Sequence, residues 1–239
     1  GEPMLPSLAD FSVGGLQKTA DKFKNAAVEV ICVSSGVRFT SPDEQERTRQ
    51  LEIARQYIDI AVALGSPYIR VFGGPIKEEM DRKATMDYIV DGFRKTGDLA
   101  GPRGVTVLLE TNDTFSTGVA CKELLDRVNH PHVALVWDIL HSLRAGEGFE
   151  ETWSLVGEWI RNVHFKDSFD FGPQSFDIKL PGQGKVPIEQ AARLLKRHDY
   201  QGYYEFEWEK GWHKEVEEPE VAFPHYVAYM KDLAERVGL

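Results

Sequence analysis

Six short runs rich in apolar and β-branched residues, at 28–34, 68–72, 105–109, 133–139, 160–165 and 203–208, alternate with longer segments of helical periodicity. This alternation constrains the fold more than any other feature of the chain. Each run has the length of a buried strand. The longest helical segment, 42–64, starts after Ser41, which can cap it, has Pro42 at its first position and stops at Gly65. Leu51, Ala54, Ile58, Ala61 and Val62 recur along it at three-to-four spacing and mark one buried face. Further helices are predicted at 84–100, 117–128, 149–156, 187–198 and 224–236. Strand and helix alternating with short connections specify parallel strands joined by right-handed crossovers, so the chain is either a doubly wound sheet or a (β/α) barrel. No G-x-G-x-x-G follows the first run and no G-x-x-x-x-G-K-S/T occurs anywhere, which counts against the nucleotide-binding doubly wound folds.

Composition supports one large α/β domain over 1–239. Hydrophobic residues make up 42% and charged residues 28% of the 239 positions, values that exclude a disordered or disulfide-framework chain. The net charge of −10 opposes a nucleic-acid backbone binder, which requires a concentrated basic surface. No apolar run approaches the roughly 18–20 residues of a membrane span, and the N-terminus lacks a basic region followed by an apolar core, so the chain reads as cytoplasmic. Cys32 and Cys121 have no metal or redox spacing and are expected as buried free thiols.

The residues that end the apolar runs carry the functional argument. Glu110 closes the third run, Asp138 follows Trp137 in the fourth, His164 follows Val163 in the fifth, and the sixth leads into Glu207. One charged residue closing a strand is more often a solvated edge or a helix cap than a ligand. Four on successive strands are harder to dismiss, because in a parallel barrel the C-terminal strand ends converge on one mouth. Three buried carboxylates without a cation would repel one another and suffer a large desolvation penalty, which a divalent ion removes. One imidazole with carboxylate oxygens suits Mn²⁺, Mg²⁺, Co²⁺ or Zn²⁺. Glu205, Glu207 and Glu209 alternate and share one strand face, and spacing does not choose among them.

These segments resemble the sugar phosphate isomerase/epimerase family, the xylose isomerase-like TIM barrels. The resemblance covers nearly the whole chain. It rests on Leu108-Leu109-Glu110, the D-x-x-H of Asp138 to His141, the H-x-K-D of His164 to Asp167, Leu180-Pro181-Gly182-Gln183-Gly184, and Tyr200-Gln201-Gly202 leading to a strand that ends in Glu. It implies one divalent metal held by Glu110, Asp138, His164 and Glu207, the last preferred because the family's ligand lies five residues after the glycine matching Gly202. It also implies that Glu110 and Glu207 act as acid and base on opposite sides of a sugar or polyol ketone, through a metal-stabilised enediolate, and that His141 contacts a substrate oxygen. Lys166, Gln183 and Asn112 are further candidate substrate contacts. Family habit adds a homo-oligomer. Two departures stand out: Gln183 stands where the epimerases carry Arg, which counts against a ketose epimerase and a phosphorylated substrate, and Asn112 stands where many relatives have His.

Other readings use the same barrel. An inosose-type dehydratase would expel a hydroxyl after proton abstraction, and a non-catalytic barrel would bind sugar without metal. A DNA-repair endonuclease fits poorly, with seven histidines, several unsuitably placed, and a net charge of −10. Arg70 is expected in a structural ion pair and Gly73-Gly74-Pro75 in a tight turn. Trp208, Trp212, His213 and His225 are expected as packing or surface residues, and His130 and His132 away from the mouth. A complete barrel has about 250 residues. The four ligand-bearing strands behave like the last four of eight, so the chain is expected to be a (β/α)₈ TIM barrel lacking its first two strands. On that count 1–12 forms the loop after strand two and 15–25 the second helix.

Overall fold

All six apolar runs form strands in the computed structural model, which describes residues 9–172 and 177–239. The expected loop at 1–12 lies largely outside the described residues. Two compact units divide the chain, one of the described residues to 115 with 120–136, the other of 116–119 with 137–239.

The first unit opens with a short 3₁₀ turn and α1 (Leu16–Asn25), then alternates β1 (Cys32–Ser34), α2 (Glu44–Leu64), β2 (Tyr68–Phe72), α3 (Arg82–Ala100) and β3 (Thr106–Glu110). The next helix, α4 (Gly118–Val128), and strand, β4 (Val133–Asp138), each cross the division. Strands β1 to β4 pair in chain order, all parallel, with Cys32 opposite Tyr68, Tyr68 opposite Thr106 and Val107 opposite Val133. Strand alternation gives this sheet two apolar faces. Val33, Ile69, Val71, Val107, Leu109 and Leu135 are buried on one side, while Leu108, Ala134 and Val136 cluster on the other with Cys32 and Tyr68 against them. Glu110 continues the Leu108 side of β3, and Asp138 continues the Ala134 and Val136 side of β4.

Helix α2 starts two residues later than the sequence suggested. Asp43 is its cap, with a side-chain oxygen accepting from the Gln45 N–H at 2.9 Å, while Ser41 Oγ accepts from the Asp43 N–H and shapes the approach. A carboxylate at this position also opposes the partial positive charge of the helix end. Gly65 ends the helix at φ +69°, a conformation a side chain would strain. Asp43→Ala should lower stability by about 1 kcal/mol in denaturant unfolding, the usual worth of such a cap. Ala54, Tyr57, Ile58, Ile60 and Ala61 form the buried face, whereas Val62, expected there, is exposed. Residues 28–31 belong to the connection before β1: the Val28 N–H bonds back to the Phe23 carbonyl of α1.

In the second unit, α5 (Ile139–Arg144) and α6 (Phe149–Val156) precede β5 (Ile160–Phe165). A small antiparallel pair, β6 (Asp167–Ser168) with β7 (Ile178–Lys179), follows, then α7 (Ile188–Arg197), β8 (Tyr203–Phe206) and α8 (Pro219–Val237). Strands β5 and β8 are parallel, with His164 opposite Glu205. Helix α8 begins at Pro219, not Pro224, since proline suits a first helical turn. Both cysteines are free thiols, Cys121 buried and Cys32 half-buried. His130 sits against Gly97 of α3 and pairs with Asp98, a packing role.

Candidate metal centre

The junction of β4 and α5 divides the two oxygens of Asp138 between two tasks. Its Oδ1 accepts from the Leu140 and His141 N–H groups at 2.8 and 3.2 Å and so caps α5, which ends the strand one residue earlier than the apolar run implied. Its Oδ2 lies 2.8 Å from Lys166 Nζ and 3.7 Å from His141 Nε2. The D-x-x-H spacing is thus one helical turn, which returns the histidine to the aspartate that starts the helix.

Period-two geometry on β5 and just beyond it places Asn162, His164 and Lys166 on one side. The parallel register sets Glu205, Glu207 and Glu209 beside them. A polar ladder results. Asn162 Nδ2 donates to Glu205, whose Oε2 lies 3.6 Å from His164 Nε2. His164 Nδ1 lies 3.4 Å from Glu207 Oε2. Lys166 Nζ donates to Glu207 Oε2 at 2.7 Å and to Glu209 Oε1 at 2.5 Å. Donor atoms of Asp138, His164 and Glu207 all lie within 4.8 Å of one another. The three alternating glutamates therefore have overlapping but distinct partners, Asn162 and His164 for Glu205, His164 and Lys166 for Glu207, and Lys166 for Glu209, a distinction the sequence did not carry.

Burial and neighbouring charge compete within this unit. Desolvation raises the fully buried Asp138 above the usual carboxylate range, against the pull of the Lys166 ammonium. Burial would also raise Glu207, but Lys166 and His164 outweigh it and hold that carboxyl well below its usual range. Desolvation and the nearby Lys166 charge lower His141 to about 3, so its imidazole is neutral near pH 7 and can donate from one nitrogen and accept at the other. Lys166 is fully buried, and although desolvation opposes its charge, Asp138, Glu207 and Glu209 together raise it well above the ordinary lysine value.

In the first unit, Glu110 is buried at the end of β3, with Arg70 Nε of β2 3.0 Å from its Oε2. The guanidinium also stacks on Phe72, 3.9 Å from the ring centre. Arg70 thus makes the ion pair the sequence suggested, and its partner is a candidate ligand. Asn112, two residues on, is half-buried in a turn where its carbonyl accepts from the Phe115 N–H. Gln183 is exposed, its N–H bonded to the Leu180 carbonyl.

Asp167 has a role the sequence did not disclose. Its Oδ2 accepts from the Gly182 and Gly184 N–H groups at 2.8 and 2.9 Å, and its Oδ1 from those of Ser168 and Val186 at 2.8 and 3.1 Å. One buried carboxylate thereby organises the whole Leu180 to Val186 loop. Gly184 permits this, since a Cβ there would collide with Asp167 Oδ1. His225 Nε2, 2.8 Å from the Pro181 carbonyl, supports the same loop from α8.

Residues 2–233 match the model of the xylose isomerase-like TIM barrel family, and the chain belongs to that family. The inosose isomerase of Bacillus subtilis (strain 168) is 24% identical over 177 residues, 71% of this chain and 63% of the relative. The L-ribulose-5-phosphate 3-epimerase UlaE of Salmonella heidelberg (strain SL476) is 28% identical over 206 residues, 80% of this chain and 67% of the relative. The matched segments thus span about two thirds of these relatives' lengths. Among solved structures, the zinc-bound IolI protein superposes with a TM-score of 0.76 at 20% identity, covering 93% of this chain and 82% of that one. The likeness identifies the fold. No helix among the described residues is long and apolar enough to cross a membrane.

Proposed function

We propose that this chain is a divalent-metal-dependent isomerase or epimerase of a sugar or sugar-like polyol ketone, with the ion held by Glu110, Asp138, His164 and Glu207. One observation carries the reading: donor atoms of Asp138, His164 and Glu207 all lie within 4.8 Å of one another. Three carboxylates and one imidazole fit Mn²⁺, Mg²⁺, Co²⁺ or Zn²⁺, and a charge-neutralising cation suits a site where the buried Asp138 carboxylate lies beside that of the half-buried Glu207. When bound, such an ion supplies Lewis-acid polarisation of a carbonyl and its neighbouring hydroxyl.

The remaining chemistry falls to the chain's own residues. Moving a carbonyl, or inverting the carbon beside it, begins with removal of a proton from that carbon. Glu110 or Glu207 takes the proton, and the other returns one to the neighbouring carbon or the opposite face. His141, neutral and one turn from Asp138, hydrogen-bonds a substrate hydroxyl or carbonyl. Asn112 and Gln183 are offered as further substrate contacts. Two sequence-matched relatives with isomerase and epimerase names support this reaction class.

The test is incubation of purified protein with a panel of ketoses and inososes in deuterated water, with and without Mn²⁺, Co²⁺ or Zn²⁺. Metal-dependent deuterium incorporation at a carbon α to the carbonyl is the expected result. Glu110→Gln should slow it by about 10²–10⁴-fold, the typical contribution of a positioned general base. No exchange at any such carbon in metal-loaded protein rejects the proposal, and a product lighter by one water marks a dehydratase instead.

A further inference from the structure

Lys166 was a candidate substrate contact, yet its surroundings describe a different task. An ammonium has three N–H donors and no acceptor. Three carboxylate oxygens lie against this one: Asp138 Oδ2 at 2.8 Å, Glu207 Oε2 at 2.7 Å and Glu209 Oε1 at 2.5 Å. The side chain is fully buried. Its donors are therefore committed to protein oxygens, and no proton is left for a ligand. Two of the three acceptors belong to residues proposed to hold the metal. Glu209 is the third, and its other near neighbour is His213, whose Nε2 lies 3.6 Å away.

We propose that Lys166, anchored by Glu209, is a built-in counter-cation that holds Asp138 and Glu207 in position in the metal-free protein, so that the two carboxylates need not repel each other apart. This rests on the metal-site reading for the roles of Asp138 and Glu207, but the tripod itself is a feature of the chain alone. The arrangement has two consequences of opposite sign. Removing the ammonium destabilises the metal-free protein, because the buried Asp138 and the half-buried Glu207 and Glu209 lose their shared partner. The same removal strengthens metal binding, because a positive charge no longer stands beside the incoming dication, and at this range Coulomb repulsion outweighs the roughly 10–100-fold typically lost with a positioning partner. Glu209→Gln acts in the reverse direction on the metal: the ammonium keeps its charge but loses its anchoring carboxylate, so it bears more heavily on the other two oxygens.

The experiment uses full-length Lys166→Met, Glu209→Gln and the double variant. Melting is followed in chelator-treated protein, and Mn²⁺ affinity by calorimetry. Lys166→Met should melt about 10 °C lower without metal, bind Mn²⁺ at least about tenfold more tightly, and regain most of the lost melting temperature on loading. Glu209→Gln should bind Mn²⁺ about threefold more weakly. In the chelated proteins the double variant should lose several degrees less than the sum of the two singles, since an uncompensated Glu209 is part of the damage in Lys166→Met. Additive melting shifts overturn the tripod, and so does weaker Mn²⁺ binding by Lys166→Met. Failure of the unsubstituted protein to bind any divalent ion would instead refute the proposed function, and the melting cycle, read without metal, would still decide the role of Lys166.

Discussion

Replacing Asp167 by alanine is expected to lower the stability of the protein by about 4 kcal/mol and its melting temperature by roughly 10 °C. The estimate follows from what the carboxylate satisfies. Four backbone N–H groups donate to its two oxygens, two of them from Gly182 and Gly184 in the loop after β7 and two from the buried Ser168 and Val186. The loop donors can turn to water when the carboxylate is lost. Those of Ser168 and Val186 are enclosed, and each buried donor left without an acceptor costs about 1–3 kcal/mol. Asp167→Asn keeps one acceptor oxygen, so its loss should be roughly half as large. Limited proteolysis should then find the 180–186 segment in the alanine variant and spare it in the unsubstituted protein. A melting temperature within about 2 °C of the unsubstituted protein would show that the loop is held by other contacts.

Asp167 also shows where reading the sequence stops. Its neighbours His164 and Lys166 could be singled out because strand periodicity and residue type carry information about them. Apart from the adjacent Ser168, the partners of Asp167 are backbone N–H groups 15 to 19 positions away, which every sequence contains and no composition marks. The three glutamates of the β8 segment pose a related problem. Alternation put them on one face, but their separate tasks arise from the register of His164 against Glu205, a property of two strands and not of one. By contrast, the apolar runs were legible because burial on both faces of a parallel sheet demands continuous hydrophobic segments. Errors fell at element ends, where one side chain decides the outcome. Asp43, not Ser41, caps α2, and the Asp138 carboxylate converts the end of the fourth run into the first turn of α5.

That second conversion makes Asp138 the residue at which folding and the proposed chemistry can be separated. Asp138→Ser and Asp138→Ala should both weaken Mn²⁺ binding by at least about a hundredfold, yet differ from each other in stability by about 1 kcal/mol. Serine retains an oxygen one bond from Cβ, and it is among the preferred helix caps, so the Leu140 N–H keeps an acceptor. Neither serine nor alanine reaches Lys166, 2.8 Å from the native Oδ2, so both lose the ion pair equally. Their difference isolates the cap, and what they share isolates the second oxygen. Equal stabilities for the two variants would mean that α5 does not depend on its capping oxygen. Mn²⁺ affinity within threefold of the unsubstituted protein in Asp138→Ser would remove Asp138 from the ligand set. The design works because Oδ1 faces the start of α5 and Oδ2 faces the polar ladder, so one side chain joins the helix to the site.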